Sequence, residues 1–257
     1  SAGDVTFNNA VTATMGDVNI QSGALTASGA LNAATDIDIV ATGDVALNGD
    51  ASAERIDIQS PSDIAVAALP STVGGLNIQS STLTASGALN AATDIDIVAT
   101  GNVALSGNAT AETIDITTTG DVAVAALTST VGGLNIQSDG GMTASGALAA
   151  ETDIDVTAIN GFAADGALTA STGYIDLRSI NGLIALAKDL TAATWVRLTA
   201  ATLTVAEKIS ADSIIVQVRD SVVIDDVWTA VTSIDIRVFG DNADITFNAS
   251  PVWGTWL

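Results

Sequence analysis

Residues 35–43 read TDIDIVATG, and the same nine residues return unchanged at 93–101. Paired carboxylates spaced like this have two chemistries open to them. They can gather a hard cation such as Ca²⁺ through oxygen ligands. They can also act as acid and base in glycoside hydrolysis, when a cleft holds them about 5 to 9.5 Å apart and raises the pKa of one. A plainer use is a polar face that keeps a repetitive fold in solution. Which use applies depends on the elements that carry the aspartates.

Those elements are marked by an aliphatic, polar, aliphatic triplet. It runs from Val18-Asn19-Ile20, Ile37-Asp38-Ile39 and Ile56-Asp57-Ile58 to Ile234-Asp235-Ile236, with successive starts 18 to 21 residues apart. A period of two is the signature of a strand with one buried face. A second alternating stretch follows each triplet (Val45 and Leu47, Val103 and Leu105), and a weaker third closes the unit, as in GALNAA at 29–34 and 87–92. Asn48-Gly49 and Asn181-Gly182 are among the turn signals between them. Every third unit is nearly a copy: GGLNIQS stands at 74–80 and 132–138, a 58-residue super-repeat.

A single such unit cannot bury its aliphatic side, whereas stacked units form a continuous core. The expected fold is therefore all-β: a parallel β-helix, or β-solenoid, of about twelve turns with three short strands per turn, right-handed by its turn length. At ~4.8 Å per turn, that is a rod on the order of 55 to 60 Å long. Hexapeptide helices, calcium-binding nonapeptide repeats and helical repeats all fit the spacing or composition less well. Residues 1–257 read as one solenoid, regular over 1–177 and divergent over 178–257.

Composition narrows the chemistry. The chain has 48% hydrophobic residues but only 4% aromatic and 14% charged, with a formal net charge of −22. Residues 1–177 hold 20 acids and one base, net −19, while 178–257 hold 9 acids and 6 bases, net −3. There is no basic stripe to neutralise phosphates, so nucleic acid is not an expected partner. Cysteine and histidine are absent, which removes disulfides, thiolate chemistry, imidazole acid–base catalysis and the usual zinc and haem ligation. No apolar run reaches the roughly 18 residues of a membrane span, so no membrane insertion is expected. Ser1 is not followed by a basic and then apolar leader, and the chain reads as a mature product or a piece of something longer.

Turns such as ATDIDIVATGDVALNGDASA (34–53) and SGALTASGALNAATDIDIVATG (22–43), with their G-x-L-x-x-x-G-x-L rhythm, resemble the repeats of filamentous-haemagglutinin-like exoproteins, the β-helical adhesins exported by two-partner secretion. The resemblance spans nearly the whole chain and is strongest over 16–157. It implies a right-handed β-helix, an extracellular or cell-surface location, and a shaft or adhesive role. The expected function is a non-enzymatic structural or adhesive segment of a bacterial surface exoprotein. Its expected partners are a host or neighbouring-cell surface, glycans, or copies of itself. A self-assembling filament subunit and a polysaccharide-binding or polysaccharide-cleaving β-helix are the alternatives.

Stacking places the middle residues of the triplets in one outward column: Asn19, Asp38, Asp57, Asn77, Asp96, Asp115, Asn135, Asp155, Asp176, Arg197, Ile215 and Asp235. Carboxylates about 5 Å apart repel by roughly 1 kcal/mol or less in water, and the interposed Asn limits each run to two. Asp38 with Asp57, Asp96 with Asp115 and Asp155 with Asp176 form a candidate cation ladder, helped by Asp36, Asp94 and Asp153. Ca²⁺ is its natural ion, although a flat strand face offers few of the six to eight oxygens calcium prefers. Repetition on every turn argues for scaffold before chemistry, and neither a catalytic residue nor a resident cofactor is expected.

The pattern changes in the last third. Tyr174, Trp195, Trp228, Phe239, Phe247, Trp253 and Trp256 gather there with six of the seven cations. Trp195, Arg197, Arg219, Trp228 and Arg237 are a candidate partner-binding patch, with Arg197, Arg219 and Arg237 in one outward column suited to an acidic partner. The competing expectation is that the aromatics widen the core or cap an end. GDVTFNNAV at 3–11 resembles NADITFNASPV at 242–252, and Asn108-Ala109-Thr110 and Asn248-Ala249-Ser250 match the glycosylation acceptor pattern.

Overall fold

In a computed structural model, the described residues are 3–240 and 243–248. The chain is an all-β parallel β-solenoid of about 12 turns. It divides into two compact units, Ser1–Ala125 and Ala126–Leu257. The division falls inside the 58-residue repeats, upstream of the change in composition at 177.

In the first unit, the turn comprising Val18–Ser22, Leu25–Ala27 and Leu31–Ala33 is followed by one comprising Asp36–Ala41, Val45–Leu47 and Ala51–Ser52. Equivalent strands pair in parallel and in register: Val18 faces Ile37, Leu25 faces Val45, and Leu31 faces Ala51. Alternation along each strand sends Ile37 and Ile39 inside, both almost fully buried, while Asp38 stays at the surface. Stacking then sets like upon like. Ile39, Ile58, Ile78, Ile97 and Ile116 form one buried file, and a second runs through Leu47, Val66, Ala85, Leu105 and Val124. These aliphatic side chains fill the interior of the stack.

Corners are also specified. Gly49 and Gly87 sit where two turns approach closely: a β-carbon on Gly49 would stand 2.6 Å from the Gly29 carbonyl carbon, and one on Gly87 2.6 Å from the Ala68 nitrogen. Hydroxyls serve another bend. Buried Ser60 donates to the Gly43 carbonyl at 2.7 Å, and buried Thr118 donates to that of Gly101.

The second unit begins in the same style, with Leu134–Ser138, Met142–Ala144 and Leu148–Ala150 followed by Ile154–Ala158, Phe162–Ala164 and Leu168–Ala170. Phe162 is fully buried and packs in register between Met142 and Ile184. Further on, short strands give way to long ones: Trp195–Val205, Ile209–Ile224 and Trp228–Val238. The cause is visible in the sequence, because no Gly, Pro or Asn occurs between Leu183 and Phe239. Without residues that break pairing, strands continue through the corners, and the bends are made by register shifts at Ala200/Thr202 and Ala211/Ser213.

Candidate functional site

In the first unit, Asn19, Asp38, Asp57, Asn77, Asp96 and Asp115 are successive partners across adjacent strands, the outward column expected from the triplets. The first acidic pair is bridged by a cation. Arg55 reaches Asp36 at 3.3 Å, Asp38 at 3.2 Å and Asp57 at 3.6 Å. Near Asp96, partial burial and the carboxylates of Asp115 and Asp94 push the Asp96 carboxyl above the usual value. Among the described residues, no group of three or more Asp or Glu is gathered so as to hold a metal ion. A flat strand face spreads its carboxylates along the stack and does not wrap them around a point.

In the second unit Asn135, Asp155, Asp176, Arg197, Ile215 and Asp235 are likewise successive partners across adjacent strands. Their chemistry is different. Asp176 is only 2% exposed, yet it is doubly held. Arg178, two residues along the strand, donates from Nη2 at 2.6 Å and from Nε at 3.3 Å, while Arg197 on the next turn donates from Nε at 3.0 Å and also from Nη2. Burial alone would raise the Asp176 carboxyl; the hydrogen bonds from Arg197 and Arg178 outweigh it and hold the group below the ordinary carboxylate value.

Beside this network lies an aromatic pair that the spacing encodes. Tyr174 and Trp195 each precede a triplet, one 21-residue turn apart, and therefore occupy the same column. Their rings stack with centroids 4.1 Å apart and planes 5° from parallel. The Tyr174 hydroxyl donates to Asp155 at 2.8 Å, and that bond, with desolvation, pushes the phenol pKa up to about 12. The Arg197 guanidinium lies 5.1 Å from the Trp195 ring centre. On the next turn the place in register with Trp195 is held by Ser213, which is much smaller. A surface groove of ≈ 440 Å³ opens there, lined by Trp195, Arg197, Asp212, Ser213, Ile215 and Thr232.

The candidate patch is thus divided. Trp195 and Arg197 meet at the groove. Trp228 does not join them: it is 3% exposed and packs in register with buried Ile209, as the core reading of the aromatics expects. The single column of arginines is not formed. Arg197 is in register with Ile215, whereas Arg237 is in register with Gln217, one column away. Arg219 pairs with its neighbour Asp220 at 3.4 Å, and Arg237 pairs with Asp235 at 2.6 Å. All three guanidiniums are matched by carboxylates within the unit. Phe239 and Phe247 are exposed. Trp253, Trp256 and the end of the second acceptor pattern lie outside the described residues, as does part of the 242–252 segment that resembles residues 3–11. Asn108 of the first acceptor pattern is exposed.

No family model matches the chain, and no curated protein or solved structure matches it.

Proposed function

We propose that the chain is a non-enzymatic structural and adhesive segment of an extracellular bacterial surface exoprotein, serving as a stiff scaffold that displays a binding surface. The observation supporting this reading is the repetition of the outer face. In the first unit, each turn offers the same kind of polar group at the same place, and Arg55 ties three neighbouring carboxylates together. Hydrolysis of a glycoside needs one carboxyl set apart from its partner in a cleft. A column that repeats the same carboxylate serves solubility and stiffness instead. The adhesive part of the reading draws on the Trp195 groove, the place where the repeating face gives way to a concave, mixed surface.

Antibodies against the chain, applied to intact and to lysed cells of the producing organism, test the location. Labelling of intact cells is expected, and labelling confined to lysed cells overturns the reading. A companion assay follows reducing ends released from a polysaccharide panel, with electron microscopy of the purified chain over time. No release and unchanging particles are expected. Release would make the chain a polysaccharide-cleaving β-helix, and growing fibres would make it a filament subunit.

A further inference from the structure

We infer that the groove on the second unit is a binding subsite for an uncharged sugar ring, with Trp195 as its stacking platform. Trp195 has one ring face taken by Tyr174, in a near-parallel stack at 4.1 Å. Tyr174 is not part of the groove lining, whereas Ser213, the residue in register with Trp195 on the following turn, is. The Arg197 guanidinium, 5.1 Å from the ring centre, reaches back to Asp176 on the turn that carries Tyr174, so the indole face toward Ser213 looks along the column into the groove, where a third flat ring would extend the stack. A pyranose suits that place because its axial C–H bonds present an apolar, weakly positive face to the electron-rich indole. The walls suit the rest of a sugar. Asp212, Ser213 and Thr232 supply acceptors and hydroxyl donors for ring hydroxyls, Arg197 supplies N–H donors at one edge, and Ile215 adds an apolar floor. The volume, ≈ 440 Å³, falls within the range of about 300 to 1,000 Å³ of small-ligand sites.

Charge decides the class of sugar. Arg197 is the single cation lining the groove, and its guanidinium is already engaged by Asp176 through Nε and Nη2. Asp212 contributes a negative charge to the lining, and Asp155 and Asp176 stand close behind Tyr174 and Arg197. A sulfated or uronate glycan would meet this acidic surround and gain no unmatched cation. A neutral hexose or N-acetylhexosamine chain meets no such penalty.

Tyr174 and Asp155 act here as positioning residues. The phenol is anchored by its hydrogen bond to Asp155, which fixes the underside of the stack, and Trp195 then presents its other face in a set orientation. Preorganising an aromatic platform in this way lowers the ordering cost of binding.

The inference gives the adhesive reading above a ligand class and rests on that reading only for its biological setting. The test is isothermal titration of the full chain with soluble neutral oligosaccharides (cellohexaose, maltohexaose and chitohexaose) and, for charge, heparin and polygalacturonate oligosaccharides. At least one neutral probe should bind with measurable heat, and the anionic probes should bind more weakly or not at all. Trp195→Ala should weaken the neutral probe about tenfold, the loss of roughly 1.4 kcal/mol of stacking. Because that variant also removes the packing of Trp195 on Tyr174, Ser213→Trp provides an independent check. Its added ring would occupy the free face of Trp195 and abolish binding while the thermal transition is kept. Heat from none of the neutral probes, preference for the anionic probes, or full binding by Ser213→Trp would overturn the assignment. Those failures leave the scaffold reading standing, whereas cleavage of a bound oligosaccharide would overturn the scaffold reading and leave the subsite in place.

Discussion

Asp176 and Arg197 face each other across adjacent strands, and the guanidinium of the later residue reaches back to hold the carboxylate of the earlier one through two nitrogens. Arg178 closes on the same carboxylate from within its own strand. A buried anion between two partly solvated cations is the point at which the repeating acidic column gives way to a mixed one.

The carboxyl of Asp176 titrates below the ordinary value of about 3.9 because the two arginines outweigh its burial. A depressed carboxyl pKa contributes stability that is fully present above the unfolded-state value and is lost as pH falls through the folded-state value. Asp176→Asn should therefore destabilise the chain near neutral pH by about 2 kcal/mol, somewhat less than the 3 to 5 kcal/mol of a fully buried pair, since both arginines keep contact with solvent. The deficit relative to the parent should shrink below about pH 4. Denaturant titrations at pH 7 and pH 3 check this, and a deficit independent of pH would refute it.

Asp96 has the opposite sign. Its carboxyl is raised by partial burial, by Asp115 in register on the next turn and by Asp94 two residues back. A raised carboxyl binds protons more readily in the folded chain, so its charged form costs stability at neutral pH, and the cost fades as pH falls toward the unfolded-state value. Asp96→Asn should raise the thermal midpoint at pH 7 by about 1 to 3 °C, consistent with a gain of up to ~1 kcal/mol at a solvent-facing position. A lower midpoint would show that this carboxylate stabilises the stack.

Close approach of successive turns makes small substitutions costly at the corners. Gly49→Ala and Gly87→Ala each drive a methyl group to within 2.6 Å of backbone atoms on the preceding turn. A loss of about 1 to 3 kcal/mol is expected for each, the usual range for overpacking. Gly16→Ala, where nothing lies within 4 Å of the added carbon, is the matched control and should change the denaturation midpoint little.

Two tryptophans separate core from surface. Trp228 is buried, and its indole Nε1 finds no hydrogen-bond partner. Trp228→Phe should cost only about 1 kcal/mol, because the smaller ring also removes an orphaned donor, while Trp228→Ala should cost about 3 to 5 kcal/mol. Trp195→Phe, at the surface, should leave stability within about 1 kcal/mol of the parent. Equal losses at the two sites would contradict the assignment of one to the interior and the other to the groove.

Much of this architecture was legible in the sequence because the triplets repeat at the length of one turn. Ile37 and Ile39 could be sent inward, and the columns Asn19 to Asp115 in the first unit and Asn135 to Asp235 in the second written out, from the period of two and the period near 19 alone. Cross-strand register fulfils both. The site was less legible. Trp228 resembles Trp195 in type, but alternation places one inside and the other outside. The arginines fail to align because Arg197 is the middle residue of its triplet, Arg237 follows its triplet, and Arg219 adjoins a corner. The stack of Tyr174 on Trp195 could have been found, since both stand one residue before a triplet. Its open face could not, because that depends on Ser213 being small and on the long strands that replace the corners there.

The identity of residues 35–43 and 93–101 has a consequence at the level of the gene. An exchange between the DNA encoding the two copies would remove or add 58 residues, three whole turns, within the first unit. The strand Asp94–Ala99 carries the same six residues as Asp36–Ala41, so Val18–Ser22 would meet an identical partner after such a deletion. Asp38 would meet Asp115 where it now meets Asp57, and Ile37 and Ile39 would meet Ile114 and Ile116, while the Arg55 bridge would leave with the excised turns. Reach is thus a quantity that recombination can adjust in steps of three turns without passing through a misregistered intermediate.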